Sequence, residues 1–101
     1  HQPRGAEAAL DRARVGQAAE MLGAAGAAFD RTLQYLKDRR QFGVPIGSFQ
    51  ALKHRAARMF EAMELLRSTV LAALEAIDEG SPDLPRLASL AKAQAGEAFF
   101  L

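Results

Sequence analysis

The sequence predicts an all-α protein, an up-and-down helical bundle, and three observations carry that reading. Ala, Leu, Arg, Glu and Met dominate its 101 residues, and these are the strongest helix formers. Strand formers are scarce, with Tyr present once. Apolar residues recur in steps of three and four, the spacing of one helix face. That rhythm is broken twice by clustered glycine and proline, which leaves three segments.

The first helix is expected over about 7–38. Its stripe runs Val15, Ala18, Leu22, Ala25, Phe29, Leu33, Leu36. Gly23 and Gly26 lie inside it, where glycine costs about 1 kcal/mol against alanine, so a close helix contact is the expected reason for them. Gly43, Pro45 and Gly47 then end the helix, and Ser48 is the expected N-cap of the next. The second helix, expected over 48–79, carries Leu52, Ala56, Met59, Met63, Leu66, Val70, Ala73 and Ile77, with both methionines in the core. Gly80 ends it, and Ser81-Pro82 or Asp83 offers a start for a third helix over 83–101, through Leu84, Leu87, Leu90, Ala91 and Ala95.

The two long helices, each about 45 Å at 1.5 Å per residue, should pack antiparallel across short turns. Three one-sided stripes leave part of such a bundle uncovered. The chain opens on His1 and stops at Phe99-Phe100-Leu101. The expectation is therefore three helices of a truncated four-helix-bundle domain occupying 1–101, with the uncovered stripe driving self-association.

Charge and composition narrow the function classes. Thirteen Lys and Arg against twelve Asp and Glu give +1, too even for a protein that lives by gripping nucleic-acid phosphates. There is no cysteine, so disulfides and thiolate chemistry are excluded. No apolar run approaches the roughly 20 residues of a membrane span, and no leader pattern opens the chain; a cytoplasmic setting is expected. His54, between Lys53 and Arg55, has no second ligand at helical spacing, so no metal site is expected. Arg12 with Arg14, and Lys53 with Arg55, read as solvated faces. Glu61, Glu64, Glu75 and Asp78 are scattered over polar faces, and none has the environment a catalytic carboxylate needs.

The segment Lys37-Asp38-Arg39-Arg40-Gln41-Phe42-Gly43-Val44-Pro45-Ile46-Gly47-Ser48-Phe49-Gln50 stands apart. It concentrates cationic, amide and aromatic groups in one interhelical turn, where loops carry function. Arg39 at a helix end can offer its planar fork to a phosphate. Phe42 and Phe49 would cover something flat or plug the end of the bundle. On chemistry alone both readings stand.

Arg39-Arg40-Gln41-Phe42-Gly43 followed by Ile46-Gly47-Ser48-Phe49-Gln50 resembles the Arg-x-Gln-Phe-Gly-x-x-Ile-x-x-Phe-Gln signature of the acyl-CoA dehydrogenase family. In that family the signature forms the turn between the first two helices of the C-terminal helical domain. The flanks are similar as well: Ala19-Glu20-Met21-Leu22-Gly23, Tyr35 and Lys37 before the turn, and Ala88-Ser89-Leu90-Ala91-Lys92-Ala93 in the third helix.

The resemblance implies an FAD flavoenzyme that desaturates acyl-CoA thioesters between the α and β carbons and passes electrons to an electron-transfer flavoprotein. It implies a homo-oligomer, dimer or tetramer, in which this turn reaches the FAD held mainly by the neighbouring subunit. Carried over, Arg39 would contact the FAD pyrophosphate, and Gln41 would hydrogen-bond alongside. Phe42, Ile46 and Phe49 would pack near the adenosine half, and Gln50 would complete the edge. The family's usual catalytic glutamate sits in a Glu-Gly loop that would fall beyond Leu101. A minority of members place the base early in the first helix, where this chain has Ala13. No catalytic residue is therefore expected here; the parent is an enzyme and this piece alone is not. The rival reading is a small helical interaction or dimerisation module without cofactor.

Overall fold

A computed structural model describes residues 4–100, with side chains for residues 5–98. His1, Leu101 and the side chains of Phe99 and Phe100, on which the expected chain ends rested, lie outside the described residues. Three helices follow one another: α1 (Arg4–Gln41), α2 (Ile46–Glu79) and α3 (Leu84–Phe100). They pack up-down-up into a rod of 64 × 17 × 17 Å, and the described residues contain no strand. The all-α bundle predicted from periodicity is what forms.

Both turns end their helices in the same way. The backbone of Gly43 and Gly80 sits at φ 71° and 63°, the left-handed region where glycine carries no Cβ penalty. Beyond each glycine an N–H folds back onto the helix end: Val44 donates to the Arg39 carbonyl at 3.4 Å, and Ser81 to that of Ala76 at 2.9 Å. α1 therefore runs three residues past its expected end, since nothing before Gly43 prevents another turn.

Ser48 is not the cap of α2. The helix begins two residues earlier, at Ile46, with Pro45 at the N-cap and no side-chain cap. The Pro45 carbonyl already accepts the Phe49 N–H at 3.1 Å, so Ser48 falls inside the first turn. At α3, Ser81 Oγ accepts the Asp83 N–H at 3.1 Å. The Asp83 carboxylate meanwhile takes both Arg86 donors, at 2.9 and 2.7 Å, which hold it below the usual aspartate range.

The core is a matter of helix length. At 1.5 Å per residue α1 and α2 span about 57 and 51 Å, but α3 only about 26 Å. Where all three run together, two buried clusters form. Val15, Ala73, Ala76, Leu84, Leu87 and Ala88 make one; Ala18, Leu66, Val70, Ala91, Ala95 and Ala98 make the other. Alanine lets the three backbones approach closely, and Leu66 is the largest side chain fully enclosed. Towards the α1–α2 turn the described residues of α3 do not reach, and among the described residues there Ala25, Leu36, Ala56 and Met63 are the buried apolar ones. Leu33, on the expected stripe, is 38% exposed there, Met59 is only half-buried, and Phe29 meets Phe60 at 5.6 Å between ring centroids. Leu90 of the third stripe is likewise exposed.

Gly23 and Gly26 of α1 are not pinned by a tight contact. A methyl group built on Gly23 would meet nothing within 4 Å, and one on Gly26 would sit 3.8 Å from Met63 Cε, ordinary packing distance. Gly23→Ala should therefore stabilise the fold by about 0.5–1 kcal/mol, through helix propensity and a less disordered unfolded chain. A shift of the denaturant midpoint to higher concentration checks this.

Candidate functional site

Next to their connecting turn α1 and α2 form an open two-helix groove, which no described residue of α3 lines. The groove encloses about 1120 Å³. Its wall is apolar, made by Phe29, Leu33 and Leu36 of α1 and by Ile46, Phe49, Ala57 and Phe60 of α2. Its rim is cationic. Lys37, Arg39, Arg40, Lys53 and Arg58 line it, against the single carboxylate of Glu61. A chain with a net charge of only +1 thus gathers five cations at one end.

The cations are available. None of the rim cations has a carboxylate within 4.0 Å among the described residues. Asp38, in the same helical turn, accepts a hydrogen bond from Gln34 Nε2 at 3.2 Å. The Arg39 guanidinium lies over the Tyr35 ring, its Cζ 4.4 Å from the centroid. Stacking of this kind holds the planar fork in place while its N–H groups stay free at the edge. Opposite it, the first N–H groups of α2 have no partner within their helix, and a helix N-terminus favours negative charge.

The structure brings four of the six sequence-predicted residues into the groove: Arg39, Ile46, Phe49 and Gln50. Gln41 and Phe42 stand outside it at the tip of the turn, where Phe42 is 78% exposed. An aromatic side chain so exposed is left uncovered by the described residues. Residues that pattern reading passed over also join the site. His54 and Arg58 follow the predicted Gln50 in steps of four, which puts them on its face of α2 and along the groove; Lys53 adds a further cation. That i, i+4 spacing was the available signal. Elsewhere, no three His, Asp or Glu side chains gather as a metal-ligand set among the described residues. No helix among them is long and apolar enough to cross a membrane.

An apolar slot with a cationic rim suits a ligand that joins a flat ring to a phosphate. The donor set here fits a dinucleotide such as FAD: an unpaired, stacked arginine for the pyrophosphate and aromatic walls for a ring system.

The family model described as the acyl-CoA dehydrogenase C-terminal domain matches residues 4–101. The chain is 40% identical over 88 residues to the mitochondrial short/branched chain specific acyl-CoA dehydrogenase of Bos taurus, covering 87% of this chain and 20% of that protein. It is 52% identical over 60 residues to the acyl-CoA dehydrogenase IpdE2 of Mycolicibacterium smegmatis, covering 59% and 19%. To the probable acyl-CoA dehydrogenase YngJ of Bacillus subtilis it is 44% identical over 73 residues, covering 72% and 19%. The chain spans about a fifth of the length of the curated relatives it matches. No solved structure matches it at a significant level.

Proposed function

The chain belongs to the acyl-CoA dehydrogenase family, and from that premise we propose that it forms one edge of an FAD site in an enzyme that desaturates acyl-CoA thioesters. The observation that carries the proposal is Arg39. It has no carboxylate partner among the described residues, is stacked on Tyr35, and lines an apolar groove within the segment that resembles the family's signature. In this reading Arg39 donates its paired N–H groups to the pyrophosphate oxygens, and Arg40 and Lys53 add positive field. Ile46 and Phe49 cover the adenosine half from the groove side, and Gln50 hydrogen-bonds at its margin. Gln41 and the exposed Phe42 reach outward from the tip of the turn, the right disposition for a cofactor held mainly by a neighbouring subunit.

Bound FAD supplies a two-electron acceptor for the hydrogen leaving the acyl β-carbon. This chain positions the cofactor and supplies no group to take the α-proton, since Ala13 occupies the early-helix position that serves some family members. The electron-transfer flavoprotein, the acyl-CoA substrate and the homo-oligomer belong to the same proposal.

The test is the full-length protein that carries this segment. It should purify yellow, with flavin absorbance, and convert an acyl-CoA to its enoyl-CoA in the presence of an artificial electron acceptor. A colourless, stable protein that gains no flavin on incubation with FAD would overturn the reading.

A further inference from the structure

α2 and α3 enclose a second, smaller cavity of about 190 Å³, which no described residue of α1 lines. Arg58, Glu61, Ala62 and Leu65 line it from α2, and Gln94 and Glu97, one helical turn apart, from α3. Arg58 and Glu61 form the ridge it shares with the α1–α2 groove; the other four residues do not line that groove.

Its most demanding atom is Gln94 Oε1, which is shielded from solvent and accepts no hydrogen bond from any described residue. An acceptor left unmade in this way costs free energy, so a ligand that donates to it gains more than one that displaces water from a solvated oxygen. The two carboxylates are unspent as well. Neither Glu61 nor Glu97 has a cation within 4.0 Å among the described residues, although Arg58 lines the same cavity. Two acids against one base make its lining net negative. Ala62 and Leu65 add an apolar wall, and Leu65 is 60% exposed, uncovered by the fold.

We propose that this cavity binds a primary alkylammonium group, the chemistry shared by a free diamine and a lysine side chain. An ammonium has three donors and no acceptor, and three acceptors meet it here: Gln94 Oε1 and the carboxylates of Glu61 and Glu97. Its carbon stem lies along Ala62 and Leu65, as long cationic side chains lie on apolar surface. Other ligand classes suit the cavity less. A hard divalent cation seeks six or more oxygen ligands, an anion would meet two carboxylates, and a quaternary ammonium brings no N–H to Gln94. The proposal rests on α3 residues outside the groove and does not depend on the cofactor assignment.

The test is a titration of the chain followed by amide nitrogen–proton correlation spectra, at a constant ionic strength of about 0.1 M. Putrescine and an Nα-acetylated lysine amide are the probes. Saturable shifts should appear at Ala62, Leu65, Gln94 and Glu97 at about millimolar concentration, with Arg39 and Ile46–Gln50 unmoved. Tighter binding of putrescine points to a free amine as the source of the group, and tighter binding of the lysine amide to a protein side chain. Tetramethylammonium, which has the charge without N–H, and butanol, which has the stem without the charge, should leave these signals in place. Gln94→Leu keeps the size and removes the acceptor, and should weaken binding about tenfold. Glu97→Gln, at an exposed position, removes one charge and should weaken it several-fold. Circular dichroism shows that both variants keep their helicity. No saturable shift with either probe up to about 50 mM, equal shifts with tetramethylammonium or butanol, or undiminished binding by both variants would each overturn the proposal.

Discussion

Leu66→Ala is expected to cost about 3–4 kcal/mol, a large share of the roughly 5–15 kcal/mol that holds a small domain together. Leu66 is fully enclosed at the level where all three helices meet, and its cluster neighbours Ala18, Ala91, Ala95 and Ala98 are short side chains. Alanine has no rotamer to change, so only Val70 and the partly buried Met21 and Leu22 could lean into a cavity there. Most of the hole would remain, and the cost rises with the volume left behind. Leu71→Ala is the internal control. Leu71 lies five residues on along the same helix but is 60% exposed, so its truncation should stay within about 0.5 kcal/mol. Urea unfolding of the two variants checks the contrast; near-equal midpoints would mean that α3 does not cover Leu66.

Arg39→Ala in the full-length protein is expected to weaken FAD retention by about 1.5–3 kcal/mol, roughly ten- to a hundredfold, with the fold unchanged. The side chain is exposed and carries no intramolecular ion pair among the described residues, so nothing in the bundle leans on it. Its loss removes a charge-assisted contact and frees the Tyr35 ring it covers. Arg39→Lys should recover only part of the affinity, because an ammonium has no planar fork. Flavin content after gel filtration reads both variants against the wild type; full occupancy in both would mean that Arg39 does not touch the cofactor.

How much of this was legible in the sequence depends on the element. Helix number and order followed from the three stripes and two glycine breaks, because those patterns answer to local geometry. The depth of burial did not. Leu36 and Leu33 sit on one stripe three residues apart, yet one is buried and the other exposed. Both lie in the turn-proximal half, where no described residue of α3 joins the groove, so what α2 sets opposite each decides its burial. Periodicity says which way a face points, not what stands opposite. Ser48 misled for a local reason: a serine after a glycine–proline break has the right chemistry for a cap, but Pro45 had already set the backbone for helix entry. Gly23 misled because glycine inside a helix implies close approach only when another backbone is there.

The site divides in the same way. Arg39 and Phe49 drew attention because the turn gathers cationic and aromatic groups in one short segment, whereas Ile46 and Gln50 were named only through the resemblance to the family signature. The contribution of Arg58 and His54 was not legible, because they reach the groove from a helix face that looked merely solvated.

The most direct test of the claim that the α1–α2 turn receives the phosphate-bearing half of FAD is a titration of the isolated chain with ADP, followed by amide nitrogen–proton correlation spectra. On the proposed reading this chain supplies one edge of the site, so binding should be weak, at about millimolar concentration. At roughly 0.1 M salt, where non-specific attraction is damped, saturable shifts should be confined to Arg39, Arg40 and Ile46–Gln50. Ser81–Leu87, at the other end of the rod, should not move. Adenosine without the diphosphate should leave the arginine signals unchanged, and Arg39→Ala should abolish the saturable shifts. Perturbations spread over basic residues of all three helices, or none at the turn up to about 10 mM ADP, would contradict the assignment of this groove to the cofactor.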